Sequence, residues 1–213
     1  MIELLKEAFT SSFKHRYETI FKQYYPSHNK TGFTERNLSS NYAQALVEML
    51  NDADTFVWHD APLPVERLGE CRYIDAVVFS KKNNAVFYIL SNRLGDKPTG
   101  KIQLLANDIS KLLDQAPVTD TVGKRFITKR NYILEEWGYK EIDKPKPSWN
   151  EYVVSISDYW GEESKNNRVE ELLNRMKESL LPYAKEAVVS KIYSFDNDTV
   201  LTNYSIFITA FKL

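Results

Sequence analysis

The chain has little of several residues on which common catalytic and binding motifs depend. It contains one cysteine, three histidines and seven glycines among 213 residues. The single cysteine, Cys71, excludes an internal disulfide, and the histidines are too widely scattered to join it in a Cys/His zinc site. The sequence also has no glycine-rich phosphate loop and no G-x-S-x-G turn, which argues against nucleotide-cradling loops and serine hydrolase chemistry.

Charge and hydropathy narrow the classes further. The 28 basic and 29 acidic residues nearly cancel, so no strongly cationic surface indicates nucleic acid, although a local basic groove is compatible with a neutral total. No run approaches the roughly 20 apolar residues of a membrane-spanning helix. Charged residues interrupt the apolar start of the chain, where a signal peptide would be unbroken. The expected location is the cytoplasm, without a membrane partner.

The residue patterns that are present predict an α/β fold, a central mixed β-sheet flanked by helices. One domain is expected, with an N-terminal helix and connector over 1–32, a core over 33–157, and a C-terminal helix and hairpin over 158–213. Helical spacing of apolar residues predicts helices over 2–24, 38–50, 101–113, 123–137 and 167–183. The last strand is apolar on both faces, which predicts burial within the sheet or at a subunit contact, and makes a homodimer a hypothesis.

The most informative stretch runs from Arg72 to Arg93, RYIDAVVFSKKNNAVFYILSNR. It predicts a β-hairpin that turns at the polar residues 81–84. Strand alternation predicts that Asp75 shares a face with Val77 and Phe79. A carboxylate among such apolar neighbours is costly unless it is paired or bound to a metal, so Asp75 needs a partner. Candidate partners are Arg36, Arg72 and Arg93.

The hairpin follows a predicted helix and a strand over 55–62, and precedes a helix and a strand over 151–156. This order resembles the restriction-endonuclease-like PD-(D/E)XK nuclease superfamily over residues 33–157. Its members place an aspartate on one strand, an acid-x-lysine on the next, and often a glutamate on a preceding helix. The resemblance makes Asp75 the strand aspartate and Glu35 the helix glutamate, and puts Leu90 and Asn92 at the acid and lysine positions.

In that superfamily the carboxylates hold a divalent cation and the lysine adds positive charge at the scissile phosphate. Leucine has no oxygen for a hard cation and asparagine has no charge, so the resemblance implies a degenerate site without a metal. The expected function is a catalytically inactive bacterial protein with a binding or regulatory role towards nucleic acid or a protein partner. The alternative is a Mg²⁺-dependent deoxyribonuclease with a relocated group, for which the candidates are Arg93, Lys101, Gln103 and Asp108.

Three smaller questions stay open. Glu35 fits a helix cap as well as a metal ligand. Asp158, Glu162 and Glu163 precede the predicted helix over 167–183 and are expected to favour its N-terminus electrostatically. Four cations of the predicted helix over 123–137 fit either a phosphate-contacting patch or a solvated face balanced by nearby acids; they are Lys124, Arg125, Lys129 and Arg130.

Overall fold

A computed structural model describes residues 1–24, 35–63, 72–94, 98–104, 150–162, 166–180, 187–195 and 202–212. The helix predicted over 123–137, with its four basic residues, lies outside the described residues. So do Cys71, Asp108 and most of the helix predicted over 101–113.

The described elements confirm the α/β class. The helices are α1 (Ile2–Ala8), α2 (Lys14–Tyr24), α3 (Glu35–Leu50), α4 (98–104) and α5 (Asn166–Leu180), with a π-helical turn, Phe9–Phe13, joining α1 to α2. The strands are β1 (Thr55–Leu63), β2 (Arg72–Ser80), β3 (Ala85–Arg93), β4 (Asn150–Glu162), β5 (Ala187–Phe195) and β6 (Thr202–Lys212). None of these helices combines the length and the apolarity needed to cross a membrane.

The six strands form one mixed sheet in the order β1-β2-β3-β4-β6-β5. Strand β4 is parallel to β3, and the other neighbours are antiparallel. Strand β6 is buried on both faces, as its sequence predicts, because its side chains join the apolar clusters on both sides of the sheet, and it lies between β4 and β5. It is not an edge of the sheet. β6 therefore offers no exposed edge for pairing with a second subunit, and the homodimer stays a prediction.

The N-terminal helices form one long amphipathic arm whose apolar stripe packs on α3 and the sheet. Phe9, Phe13 and Tyr17 are fully or almost fully buried, and the two phenylalanine rings each meet Tyr42 of α3 edge to face. The Tyr42 hydroxyl donates a hydrogen bond of 3.0 Å to the Leu5 carbonyl. The stripe is therefore used for docking within the chain.

A polar contact ties the end of α3 to the β2–β3 turn. Asn51, with a φ of 45°, ends the helix in the left-handed region that amide side chains tolerate. The next residue, Asp52, accepts hydrogen bonds from the Ser80 hydroxyl at 2.7 Å and from the Lys82 backbone N–H at 3.0 Å. The turn of the β2–β3 hairpin is thereby fixed to the end of α3.

The sheet separates two apolar clusters, one on each face. We call the face covered by α1, the π-helical turn and α3 the α3 face, and its opposite, against which α4 and α5 pack, the α5 face. Side chains of the α3 face include Ala76, Val78, Phe87, Ile89, Val154, Ile156 and Tyr204. Those of the α5 face include Ile74, Val77, Phe79, Val86, Tyr88, Val153 and Phe207, with Leu90 packed against them.

Candidate functional site

Strands β2 and β3 separate at the end of the hairpin away from its turn. Their pairing ends at Ala76 and Ile89. Beyond that point the Ser91 backbone N–H donates to the Asp75 carboxylate at 2.6 Å, and the Arg93 backbone N–H donates to Glu35 Oε1 at 2.9 Å. Alternate N–H groups of a strand point to the same side, so two carboxylates satisfy the donors that would otherwise meet β2.

The separation coincides with a change of face in β1 and β2. Strict alternation would put Ile74 on the same face as Ala76, but Ile74 lies on the α5 face and Ala76 on the α3 face. Asp60 has a φ of 52° and is not paired with Asp75, although the residues on either side of both remain in register. Simple alternation therefore fails between Ile74 and Ala76, because both strands are irregular at this position, and the face taken by the Asp75 side chain stays a prediction.

Asp75 is half-buried and takes two hydrogen bonds from one residue. Its Oδ2 accepts from the Ser91 hydroxyl at 2.8 Å as well as from the Ser91 backbone N–H. Burial raises the pKa of Asp75, the two Ser91 hydrogen bonds oppose that rise, and the charges of Glu35 and Asp60 add to it. Two of the three predicted partners are paired elsewhere: Arg36 lies 3.5 Å from Asp60, and the Arg93 side chain turns to Asp158. The side chain of Arg72, the third, lies outside the part of the chain that the structure describes.

The Arg93 guanidinium and the Asp158 carboxylate form an ion pair at this end of the sheet. They stand opposite each other in the parallel register of β3 and β4, with Nη2 and Oδ2 3.2 Å apart. The Asp158 side chain has no exposed surface, and the Tyr204 hydroxyl donates to it at 3.2 Å. The ion pair and the tyrosine together fix the relative position of β3, β4 and β6.

Burial dominates the protonation of these groups. It raises the pKa of Asp158, while Arg93 and Tyr204 act in the opposite direction and Glu35 adds to the rise. For Arg93, burial is the largest influence and would lower the pKa, but the charge of Asp158, the hydrogen bonds to it and the charges of Tyr204 and Glu35 together outweigh burial, and the pKa is raised. The pKa of Tyr204 is raised well above its ordinary value by burial and then by Asp158, so its phenol stays protonated and can donate.

The structure brings together two of the residues that the resemblance singles out. Glu35 begins α3 and Asp75 lies on β2, and they accept from N–H groups two residues apart on β3. Leu90 packs on the α5 face of the sheet. Asn92 is two residues further along β3, at a position of the same alternation. The β3 residues that contact the two acids are therefore Ser91 and Arg93, in place of Leu90 and Asn92.

The other candidates for a relocated group are not seen in this cluster. Lys101 and Gln103 are exposed on α4. Asp108 and the four basic residues of 123–137 lie outside the described residues, so their positions stay predictions. Within the described ranges, no group of three or more histidine, cysteine, aspartate or glutamate side chains is arranged to hold a metal ion.

Asp158 is the residue of this site that the sequence analysis assigned wrongly. Because β4 continues to Glu162, Asp158 lies inside a strand and does not lead into α5. A signal was present in the sequence: Tyr152, Val154 and Ile156 alternate along one face, and the next position of that face is Asp158. Its partner on β3 could not be read from the pattern, because it depends on the register of two strands far apart in the chain.

Comparison of the chain with protein-family models, with curated proteins and with solved structures found no match in any of the three. The likeness to PD-(D/E)XK nucleases therefore rests on the sequence pattern and on the order of the elements. Function has to be argued from the cluster itself.

Proposed function

We propose that this protein is built on a restriction-endonuclease-like core and acts by binding, without cleaving nucleic acid. The order of elements supports the first part. Helix α3, the antiparallel strands β1, β2 and β3, helix α4, and a strand parallel to β3 follow one another over residues 35–162. That is the order which the superfamily resemblance leads one to expect.

One observation supports the absence of cleavage most strongly. Asp75 and Glu35, the two acids that would hold a cation, are used to satisfy backbone N–H groups of β3. The Arg93 guanidinium, the cation nearest to these two acids on β3, forms an ion pair with Asp158. A catalytic site needs carboxylate oxygens and positive charge directed at the substrate, and here both are directed at the protein.

The charge of the cluster bears on the choice of target. At this end of the sheet four carboxylates outnumber two guanidiniums. The excess negative charge would repel a phosphate backbone unless a cation were bound. We therefore propose that nucleic acid, if it is the target, is contacted by the basic residues of 123–137 and not by the cluster. A protein partner, bound without that basic patch, is the other form of the proposal.

The first experiment combines cation titration with a plasmid-nicking assay. With Mg²⁺ or Mn²⁺ present, we expect no nicking above that of the Asp75→Asn variant and no saturable heat of cation binding. Nicking that Asp75→Asn abolishes would overturn the proposal.

The second experiment measures the affinity for duplex DNA against salt concentration. If nucleic acid is the target, a charge-reversing variant should lose affinity and flatten the salt dependence; its changes are Lys124→Glu, Arg125→Glu, Lys129→Glu and Arg130→Glu. A control with equal charge change reverses lysines elsewhere: Lys6, Lys81, Lys177 and Lys212. An equal loss in both variants would show that only net charge matters, and salt-independent affinity would favour the protein partner.

The alternative function, a metal-dependent deoxyribonuclease with a relocated acid, is favoured by one observation. Asp158 supplies a third carboxylate whose pKa responds to Glu35, as the pKa of Asp75 does. If Asp158 were the relocated acid, Arg93 would have to release it when a cation binds. Nicking lost on both Asp75→Asn and Asp158→Asn would support this alternative.

A further inference from the structure

Strand β1 lies at one edge of the sheet. It pairs with β2 along one side and, within the described residues, has no strand along the other. In an edge strand the backbone N–H and C=O groups of alternate residues point away from the sheet, where they form a template for a further strand. These groups make β1 a candidate interaction surface.

The two halves of β1 differ in how they are protected against such pairing. In the second half, Asp60 has a φ of 52° and Pro62 has no N–H group to donate. Irregular backbone and proline are both devices by which natural sheets prevent pairing at their edges. The first half, residues 55–58, has neither. Its threonine, phenylalanine, valine and tryptophan carry no charge and all favour strands. We call residues 55–58 the open half of β1.

The open half also carries apolar side chains on both faces of the sheet. Phe56 stands opposite Phe79 of the α5 face, and 45% of its surface is exposed. Trp58 packs against the same face, and Val57 packs against the α3 face. Both are only partly buried. A strand added at this edge would therefore gain backbone hydrogen bonds and cover apolar surface at the same time.

We propose that the open half pairs antiparallel with the open half of a second copy of the chain, about a two-fold axis at Val57. Opposed residues of a strand pair share a face, so such an axis has to be centred on one residue. With the axis at Val57, Phe56 lies opposite Trp58 of the partner subunit, and this aromatic pair occurs twice. The pairing does not depend on whether the target of the protein is nucleic acid or another protein.

The charges that flank the open half favour this register. An axis at Phe56 would put the exposed Asp54 opposite Trp58, and an axis at Trp58 would put Asp60 opposite Phe56. Each would press a carboxylate against an aromatic ring, which is costly. With the axis at Val57, Asp54 comes instead to the end of the pair where Arg36 and Asp60 lie on the partner. The Arg36 side chain is 76% exposed and has donors for a second carboxylate.

Disulfide crosslinking tests the register. In a Cys71→Ser background, Val57→Cys should form a covalent dimer on mild oxidation, because directly opposed Cα atoms are about 4.5–5.5 Å apart and a disulfide spans that distance. Phe56→Cys alone should not, since its own copy lies about 7 Å further along the partner strand. Combining Phe56→Cys with Trp58→Cys should restore the link. A link through Phe56→Cys alone, or none through Val57→Cys, would overturn the proposal.

Sedimentation equilibrium measures the association itself. From about 1 μM to about 1 mM, the mass should rise from monomer to dimer. Phe56→Asp should raise the dissociation constant about a hundredfold, roughly tenfold for each aromatic pair lost. Leu104→Asp, the same change at a side chain that is 58% exposed on α4, is the matched control and should leave it unchanged.

Circular dichroism of each variant reports whether the monomer is folded. If Phe56→Asp does not fold, the crosslinking of Val57→Cys still decides the register. A monomeric mass at every concentration, which is expected if the edge takes a strand of another protein or none, would overturn the proposal. A dimer that a folded Phe56→Asp variant leaves intact would overturn it equally.

Discussion

The two halves of the Arg93–Asp158 ion pair should differ in what their loss costs. The Asp158 side chain is fully buried, whereas 29% of the Arg93 side chain is exposed. Removing arginine leaves a buried carboxylate without its cation. Removing aspartate leaves a guanidinium that can rotate towards solvent.

The expected magnitudes follow from this asymmetry. Arg93→Ala should lower the free energy of unfolding by about 3–5 kcal/mol, the range for an uncompensated buried charge. Asp158→Ala should cost about 1–3 kcal/mol, because the charge left behind is partly solvated while the Tyr204 hydroxyl loses its acceptor. The double variant should cost less than the sum of the two, because it leaves neither charge behind.

Urea unfolding followed by circular dichroism at pH 7 gives the three free energies. Arg36→Ala is a matched control, since its ion pair with Asp60 is 76% and 46% exposed and should contribute about 0–1 kcal/mol. Without Arg93, burial of Asp158 is less opposed and its pKa in the folded protein rises further. The deficit of Arg93→Ala should therefore shrink as the pH is lowered and Asp158 becomes protonated. Additive costs, or a larger loss from Asp158→Ala, would refute the reasoning.

Three further predictions test the surrounding structure by the same unfolding measurement. Thr209→Val should leave stability unchanged or raise it, because among the described residues this buried hydroxyl has no hydrogen-bond partner; a clear loss would contradict this. Tyr42→Phe should cost about 1 kcal/mol, or somewhat more, through the lost bond to the Leu5 carbonyl, and an unchanged urea midpoint would show that the bond contributes nothing. Asp52→Ala should destabilise at pH 7 and lose its effect in acid, because the Ser80 hydrogen bond lowers the pKa of Asp52 and the stability it gives disappears as the carboxylate is protonated; a pH-independent effect would refute this.

The sequence allowed the local elements to be predicted with useful accuracy. The helix predicted over 167–183 is observed as Asn166–Leu180, and the hairpin predicted within Arg72–Arg93, with its turn at 81–84, is observed as the strands Arg72–Ser80 and Ala85–Arg93. These predictions hold because apolar spacing reflects which side of an element is buried. The strand predicted over 151–156 was too short, since polar Ser157 and Asp158 disguised its continuation to Glu162.

The same reasoning predicted only some of the residues of the site. Asp75 was found because a carboxylate in an apolar strand is visible as a residue type in context, whereas Glu35 was singled out by the resemblance to the nuclease superfamily. The pairing of Arg93 with Asp158, 65 residues further along the chain, was not. Nor was the irregularity at Asp60 and Asp75, where the face of β2 changes between Ile74 and Ala76.

The sequence by itself determined which segments become helices and strands, because the spacing of apolar residues along a segment depends only on residues that are close in the chain. It also determined that the last strand is buried on both faces. Only the tertiary structure decided that this strand lies between β4 and β5, and which donors and charges surround each carboxylate. Those outcomes depend on strand register and on contacts between residues distant in the chain, and no local pattern encodes them.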